Sequence, residues 1–372
     1  MLVVQSIKKE KMNKQYRVLI SGGGTGGHIF PAIAIANEIK ARYPDSVIEF
    51  VGAQGRMEME KVPSAGYNIH GLWISGLQRS LTIKNLSLPL KVISSLRKSY
   101  RIIRKFNPDF TIGVGGYASG PLNYVASKMG VPVFLQEQNS FPGVTNKLLK
   151  NNARKICVAY EGMERFFPKE KIVITGNPIR QDVLKATLTS EQARERFSLD
   201  PHKKTILVVG GSLGARTIND AIAENLGLFE ENNIQLLWQT GKNYNAEFGT
   251  FSWGTRTAFI QSMDLAYKAA DLVISRAGAM SVSELSALGK ATIFVPSPFV
   301  AEDHQTKNAM SLVNKGAALI CKDEDAKINL GKMASDLLNN TGKLQDLEVK
   351  IKALGLPNAA ENIVNEIVKS LE

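Results

Sequence analysis

Tyr16-Arg-Val-Leu-Ile-Ser-Gly-Gly-Gly-Thr-Gly-Gly-His28 starts as a short apolar run and breaks into glycine. A helix-like stretch, Ala32–Tyr43, and a second apolar run, Val47–Val51, follow it. Strand, glycine turn, helix, strand is the repeating unit of a parallel sheet, because parallel neighbours need a crossover between them. Strand-like runs at Phe110–Val114, Val131–Leu135, Lys155–Val158 and Ile172–Ile174 extend the pattern. It then restarts. Thr205–Val209 enters Gly210-Gly-Ser-Leu-Gly-Ala-Arg216 and a helix-like Thr217–Leu226, with later runs at Gln235–Gln239, Thr257–Ile260, Leu272–Ser275, Ala291–Val295 and Ala317–Ile320. The echo predicts an α/β chain of two doubly wound domains facing each other, with ligands at the carboxyl ends of the strands. Gly and Asn-Pro punctuate the chain at Thr175-Gly-Asn-Pro-Ile-Arg180, which marks the junction, and an amphipathic stretch, Ala359–Leu371, comes last.

The length of 372 residues suits two domains at roughly 100–200 residues each. A hydrophobic content of 44% with 22% charged residues is an ordinary globular composition. The net charge of +12 and a pI near 9.5 ask for an anionic partner: nucleic acid, anionic lipid or a phosphate-rich substrate. Cys157 and Cys321 stand apart in apolar contexts, which supports neither a disulfide framework nor a zinc site and suits a reducing compartment. No apolar run reaches the ~18–20 residues that span a bilayer. Residues 1–14 are Lys-rich and are expected to form a disordered leader, with Met12 as an alternative start.

Six stretches carry chemistry. In Ser21–His28 the glycines let backbone N–H groups approach a phosphate, and the following helix aims its positive end there. Gly22, Gly24 and Gly27 also satisfy the dinucleotide pattern GxGxxG, with Glu49 near the ribose-binding acid position, so a nicotinamide-dependent oxidoreductase stays open on this loop alone. Gly113-Val-Gly-Gly-Tyr-Ala-Ser-Gly-Pro121 is a second strand-end turn, able to add N–H groups to an anion site. Gln136-Glu-Gln-Asn139 reads either as a polar loop for sugar hydroxyls or as a helix cap. In Gly210–Arg216, Ser212 offers a hydroxyl and the loop its N–H groups to a diphosphate. Ser275–Glu284 is a strand-to-helix turn of small residues, with Glu284 placed either for ribose hydroxyls or for the helix dipole. Pro296-Ser-Pro298 leads to His304 and Gln305 at a polar helix start, where Gln305 suits sugar hydroxyls and His304 reads equally as a surface residue. Asp323-Glu-Asp325 matches the Asp-x-Asp of metal-dependent sugar transferases, but it sits in a Lys-rich acidic loop with no glycine loop nearby, while an oxygen-ligand site needs several convergent groups, so it is not taken as a metal site.

Gly-Gly-Thr-Gly-Gly-His28, Gly-Gly-Tyr-x-Ser-Gly-Pro121, Glu-Gln-Asn139, Gly-Asn-Pro-x-Arg180, Gly-Gly-Ser-x-Gly-Ala-Arg216 and Ser-Arg-Ala-Gly-Ala-x-x-x-Ser-Glu284 occur in this order. The set resembles the bacterial UDP-N-acetylglucosamine:undecaprenyl-pyrophosphoryl-muramyl-pentapeptide N-acetylglucosaminyltransferases, from about Arg17 onward. The resemblance implies a GT-B fold, two Rossmann-like domains facing across a cleft. Residues 15–177 would form an acceptor- and membrane-facing domain, with a C-terminal helix over 357–372 packing back on it, and 178–356 the UDP-sugar domain. It implies that Thr25, Gly26 and Gly27 reach the donor or the acceptor diphosphate, with Gly115, Gly116 and Tyr117 beside them for the acceptor. Asn139 and Gln305 would contact the donor sugar. Arg180, Ser212 and the backbone at Ile260 would contact the nucleotide and diphosphate. Ala279, Met280, Ser281, Val282, Ser283 and Glu284 would hold phosphate and ribose. Where many relatives have Gln-Gln, this chain has His304-Gln305.

The implied reaction moves GlcNAc from UDP-GlcNAc to the C4 hydroxyl of undecaprenyl-pyrophosphoryl-MurNAc-pentapeptide with inversion. An attacking hydroxyl needs a base, and His28 is the histidine of the glycine loop; its rival role is to bind the acceptor diphosphate. No cofactor, metal or nucleic acid is called for, while cell-wall synthesis and division proteins are conceivable partners. A lipid acceptor places the enzyme peripherally on the cytoplasmic face of the membrane. Between Glu60 and Asp109 there is no acidic residue. That stretch holds Trp73, Ile74, Leu77 and Leu81, the basic Arg79, Lys84, Lys91, Arg97, Lys98, Arg101, Arg104 and Lys105, and Ile93, Leu96, Tyr100 and Ile103 at helical spacing. Such a segment suits an anionic lipid surface, or else a solvated basic helix packed on the core. Another GT-B lipid glycosyltransferase is the nearest alternative function.

Overall fold

The computed structural model describes residues 14–76, 87–184, 186–245 and 251–372. The leader expected over residues 1–14 therefore lies outside the described residues except for Lys14, as do Leu77, Arg79, Leu81 and Lys84. The chain forms two compact units: up to Ile179 together with Asn358–Glu372, and Arg180–Pro357.

The first unit runs β1 (Arg17–Ser21), α1 (Gly26–Arg42), β2 (Val47–Ala53), α2 (Glu58–Ser64), β3 (Asn68–Leu72), α3 (Leu88–Phe106), β4 (Phe110–Gly113), α4 (Ser119–Lys128), β5 (Val133–Glu137), α5 (Val144–Leu149), β6 (Lys155–Val158) and β7 (Ile172–Ile174). Its seven strands are all parallel, in the order β3-β2-β1-β4-β5-β6-β7. A sheet covered on both faces needs apolar side chains on both, which is why β1 is a continuous apolar run. Val18 and Ile20 enter one core with Ile35, Ile39 and Phe110, while Leu19 enters the other with Leu122 and Leu135.

The second unit comprises α6 (Ser190–Arg196), β8 (Lys204–Val209), α7 (Arg216–Glu224), α8 (Leu226–Glu231), β9 (Ile234–Gln239), β10 (Thr255–Thr257), α9 (Met263–Ala269), β11 (Leu272–Ser275), α10 (Ala279–Leu288), β12 (Thr292–Phe294), α11 (His304–Val313), β13 (Leu319–Ile320), α12 (Ala326–Asn339) and α13 (Thr341–Ala353). Six parallel strands lie in the order β10-β9-β8-β11-β12-β13. Its core centres on the fully buried Trp238, whose indole N–H donates to Asn219 Oδ1 at 3.0 Å. The last helix, α14 (Ala359–Leu371), belongs to the first unit, where Ile363, Val364 and Ile367 join the core beneath α1.

Several elements differ from the sequence expectation. The helix expected at Ala32 starts at Gly26, with Pro31 inside its second turn. Strand β5 runs on through Gln136 and Glu137, both buried, so the polar motif begins within the sheet and not after it. Strand β10 ends at Thr257 and leaves Ile260 beyond it. The helix expected over 217–226 breaks at Asn225, whose side-chain amide donates back to the Ala221 carbonyl at 2.8 Å. Glu49, the acid of the nicotinamide reading, lies on β2 and accepts from His70 Nε2 at 2.6 Å.

Ile367 is 1% exposed and carries the α14–α1 contact. Ile367→Ala is expected to cost about 2–5 kcal/mol, read from the midpoint of chemical unfolding. A loss below about 0.5 kcal/mol, the range of an ordinary surface change, would mean that α14 is not part of this core.

Candidate functional site

In the first unit the strand order reverses at β1 and β4, so the turns after these strands leave side by side at the carboxyl edge of the sheet. They touch. A Cβ on Gly116 would lie 2.3 Å from the Gly23 carbonyl oxygen, and one on Gly115 would lie 2.9 Å from the His28 ring. Gly24 turns the backbone at φ +88°, a conformation that side chains rarely adopt. Thr25 is the N-cap of α1, and Gly26 and Gly27 are its first helical residues. A helix start leaves its first N–H groups without intrahelical acceptors and points a positive dipole end outward, which suits an anion. Tyr117 packs against Gly24, where a Cβ would lie 3.4 Å from the ring. Thr25, Gly26, Gly27 and His28 are thus brought together with Gly115, Gly116 and Tyr117.

His28 Nδ1 lies 3.1 Å from the Gly23 carbonyl oxygen and 3.2 Å from Thr25 Oγ1. A carbonyl only accepts, so Nδ1 carries the proton and the neutral ring has its lone pair on Nε2.

Asn139 sits one strand over, after β5. Its backbone N–H and its side-chain amide donate to Glu137 Oε1 at 3.1 and 3.4 Å. The other Glu137 oxygen accepts from Gly143 N–H at 3.1 Å and Asn146 Nδ2 at 2.9 Å. Burial pushes the Glu137 carboxyl above its ordinary range, and these bonds pull it back. Glu137 folds the loop that presents Asn139, and it is itself withdrawn from solvent.

The second unit repeats the arrangement at β8 and β11. Ser212 is exposed in the turn after β8, where a Cβ on Gly214 would lie 1.9 Å from the Thr240 carbonyl oxygen. Gly278 caps α10, so Ala279, Met280 and Ser281 form its first turn. Val282 turns its side chain into the core, and its N–H donates to the Gly278 carbonyl at 3.0 Å. Ser283 is partly exposed. Glu284 follows, and its Oε2 accepts from Tyr267 Oη at 3.1 Å. Burial raises the Glu284 carboxyl to about 7, against the Tyr267 hydrogen bond and the charge of Arg180, both of which lower it. Arg180 donates from Nε to Asp182 Oδ1 at 3.1 Å and also from Nη2 to Oδ2. The Ile260 N–H is committed to Gln239 Oε1 at 2.8 Å. Gln305 Oε1 accepts from Ser297 N–H at 2.9 Å, which turns its amide nitrogen toward donation. His304 is the first residue of α11 and partly exposed.

Asp323 has a structural task. It accepts from Arg276 Nη1 and, at 3.0 Å, from Thr217 Oγ1, while Arg276 Nη1 also donates to the Val295 carbonyl at 2.9 Å. One partly buried pair thereby ties together the ends of β11 and β12 and the start of α7. Sequence reasoning missed Tyr267, Glu137 as a loop anchor, Asn146 and the Arg276–Asp323 pair, because none of them lies in a recognisable pattern with its partner.

Two parallel α/β units, each gathering a glycine turn and a helix start at its strand reversal, define a nucleotide-sugar transferase of the GT-B class. The chain belongs to glycosyltransferase family 28: residues 18–158 match the family's N-terminal domain and 205–363 its C-terminal domain. The UDP-N-acetylglucosamine–N-acetylmuramyl-(pentapeptide) pyrophosphoryl-undecaprenol N-acetylglucosamine transferase of Flavobacterium psychrophilum is 53% identical over 96% of this chain and 99% of its own length. The protein of the same name from Cytophaga hutchinsonii is 55% identical over 95% and 96%. The crystal structure of Acinetobacter baumannii MurG superposes with a TM-score of 0.74 at 28% identity, covering 96% of this chain and 99% of its own.

With its pKa raised from near 4.5 to about 7, Glu284 stays protonated in the folded chain where it is already ionised in the unfolded one. The folded state then binds more protons, so stability falls as pH rises between about 4.5 and 7, by about 3 kcal/mol in all at ~1.36 kcal/mol per unit. Glu284→Gln is expected to match the wild type in unfolding free energy at pH 4.5 and to exceed it at pH 7. Parallel curves across that window would contradict the assignment.

Proposed function

We infer that the chain transfers N-acetylglucosamine from UDP-N-acetylglucosamine to undecaprenyl-pyrophosphoryl-N-acetylmuramyl-pentapeptide, forming the disaccharide-lipid precursor of peptidoglycan. The observation that carries this is the 53–55% identity to transferases of that name over almost the whole of both chains. The C4 hydroxyl of the muramyl sugar attacks the anomeric carbon with inversion. The O4–C1 bond forms, the C1–phosphate oxygen bond breaks, and UDP leaves with the electron pair. The hydroxyl proton passes to His28 Nε2, the nitrogen left with the lone pair by the Nδ1–H bond to Gly23. The turns at Thr25–Gly27 and Gly115–Tyr117 hold the acceptor diphosphate on the first unit. On the second, Ser212 and the first turn of α10 meet the donor diphosphate, Arg180 offsets the charge that grows on UDP, and Glu284 takes the ribose hydroxyls. Asn139 and Gln305 donate to the sugar.

The acceptor's lipid calls for a membrane surface. No helix among the described residues is long and apolar enough to cross a membrane. Helix α3 buries Ser95, Ser99, Ile102, Ile103 and Phe106, so Ile103 belongs to the core and not to the outer stripe. Outside stand Leu90, Ile93 and Tyr100, 46–64% exposed, among Arg97, Arg101 and Arg104. Lys98 is spent on the Gly71 carbonyl at 2.6 Å. This outer face lies against an anionic leaflet, which attracts basic residues by about 1 kcal/mol each. That makes the chain a peripheral protein of the inner membrane.

Calorimetric titration without metal is expected to give binding of UDP and UDP-N-acetylglucosamine, weakened at least about tenfold in Glu284→Ala, the loss of two hydroxyl contacts at about 1 kcal/mol each. Binding of NADH with no response to UDP would return the first glycine turn to an oxidoreductase. Replacing Arg97, Arg101 and Arg104 together with Glu is expected to abolish sedimentation with vesicles of anionic phospholipid while leaving UDP binding intact. Undiminished sedimentation would remove α3 from the membrane face.

A further inference from the structure

Glu58 opens α2, and its side chain is fully buried, yet no ion pair meets it among the described residues. Its two oxygens are divided between two backbone donors. Oε1 accepts from Ala53 N–H at 3.0 Å, and Oε2 accepts from Gly24 N–H at 3.1 Å. The space it fills exists only because two residues lack side chains. A Cβ on Gly23 would lie 2.1 Å from Oε1, and one on Gly52 would lie 2.6 Å from Cγ. The glycine turn that ought to spend its N–H groups on phosphate therefore spends Gly24 N–H on a carboxylate.

Gly24 N–H and the Gly23 carbonyl belong to one peptide group. Glu58 accepts at its N–H end, and His28 Nδ1 donates at its C=O end at 3.1 Å. A peptide group is planar and stiff, so a bond that fixes one end fixes the direction of the other. An anion at the N–H end also polarises the group and makes the carbonyl a better acceptor. A carboxylate bound to an imidazole N–H fixes the tautomer and strengthens the other ring nitrogen as a base or ligand. Here the carboxylate reaches the imidazole through a single peptide. On the opposite side the Gly23 carbonyl is backed by Gly116, whose φ of +77° and missing Cβ leave it just enough room.

We propose that Glu58 is the positioning residue for His28, holding the Gly23–Gly24 peptide so that its carbonyl takes the Nδ1 proton and leaves Nε2 as the proton acceptor. The proposal rests on the transferase reading and on the role of His28 within it.

The test is a double-mutant cycle on the full chain, with Glu58→Gln, His28→Ala and the pair, assayed for N-acetylglucosamine transfer to a lipid-linked muramyl-pentapeptide. Gln keeps the shape, but its amide NH2 confronts one of the two backbone N–H groups. Glu58→Gln is expected to lower kcat about tenfold to hundredfold, part of the ~10²–10⁴-fold that a well-placed general base contributes. The Kd for UDP, which reports on the second unit, is expected to stay within about twofold. In the His28→Ala background Glu58→Gln should cost nothing further. If Glu58→Gln proves insoluble, Glu58→Asp, which keeps both acceptor oxygens on a shorter arm, replaces it in the same cycle. A kcat within twofold of wild type overturns the proposal. So does an undiminished effect in the His28→Ala background, and so does a His28→Ala enzyme as fast as wild type. Absence of transfer by the wild-type chain, with UDP bound or not, is a failure of the transferase reading itself.

Discussion

A parallel strand cannot turn back on its neighbour, so each one must leave the sheet at its carboxyl end and cross over a face. Where the strand order reverses, at β1 and β4 in one unit and at β8 and β11 in the other, consecutive crossovers depart to opposite faces and open a gap at the strand ends. The glycine turns and helix starts assigned to phosphate sit at those two gaps, while Asn139 and Gln305 follow the neighbouring strands β5 and β12. The glycines follow from the same constraint. Two backbones leaving adjacent strands approach so closely that Gly116 abuts the Gly23 carbonyl and Gly214 abuts the Thr240 carbonyl, and neither contact has room for a methyl group. Each gap also receives a helix start, so an unpaired set of N–H groups and a positive dipole end come with the topology.

Turns of glycine have little intrinsic shape, and here buried and partly buried polar groups impose it. Glu58 holds the first turn, Glu137 folds the loop after β5, and the Arg276–Asp323 pair joins the strand ends of the second unit. Gln136 and Asn177 do the same between the Glu-Gln-Asn and Gly-Asn-Pro motifs: Gln136 Nε2 donates to Asn177 Oδ1 at 2.9 Å, and Asn177 Nδ2 donates to the Gln138 carbonyl at 2.9 Å. Two motifs about forty residues apart are thus one hydrogen-bonded object. Removing one member of such a network leaves its partner buried without a bond, which costs more than the bond itself contributed.

Strands with both faces covered were legible, because β1, β6, β8 and β11 each hold three or four consecutive apolar residues, with polar residues only at their ends. Strand β3 was not. It lies at the sheet edge, and its Asn68-Ile-His-Gly-Leu72 has no run of consecutive apolar residues to mark it as a strand. The end of β5 was misjudged because Gln136 and Glu137 look like loop residues until the amides and N–H groups that satisfy them are in view. The glycine turns of the site could be read, since glycine after an apolar run has few other uses. Their anchors could not. Glu58 lies in Met57-Glu-Met-Glu60, where nothing distinguishes it from its exposed neighbour Glu60, and its partner Gly24 is 34 residues away. Tyr267 looked like any aromatic on a short helix until Glu284 was placed beside it.

The charge of the chain is unevenly placed, and that bears on what it is for. Residues 61–108 hold nine basic residues and no acidic one, against a net charge of +12 for the whole chain. Charge kept for solubility alone would be spread over both units and mixed in sign. The second unit, which takes the anionic nucleotide in the transferase reading, instead places carboxylates beside its arginines: Asp182 at Arg180, Asp271 at Arg194 and Asp323 at Arg276. A small anionic ligand can be held by a few directed hydrogen bonds, so a nucleotide site needs no large excess of positive charge. The outer face of α3 has the opposite character, with arginines set between exposed apolar side chains and no carboxylate on the helix. An extended anionic surface needs many weak, undirected attractions, and a like-signed stripe supplies them without fixing any one geometry.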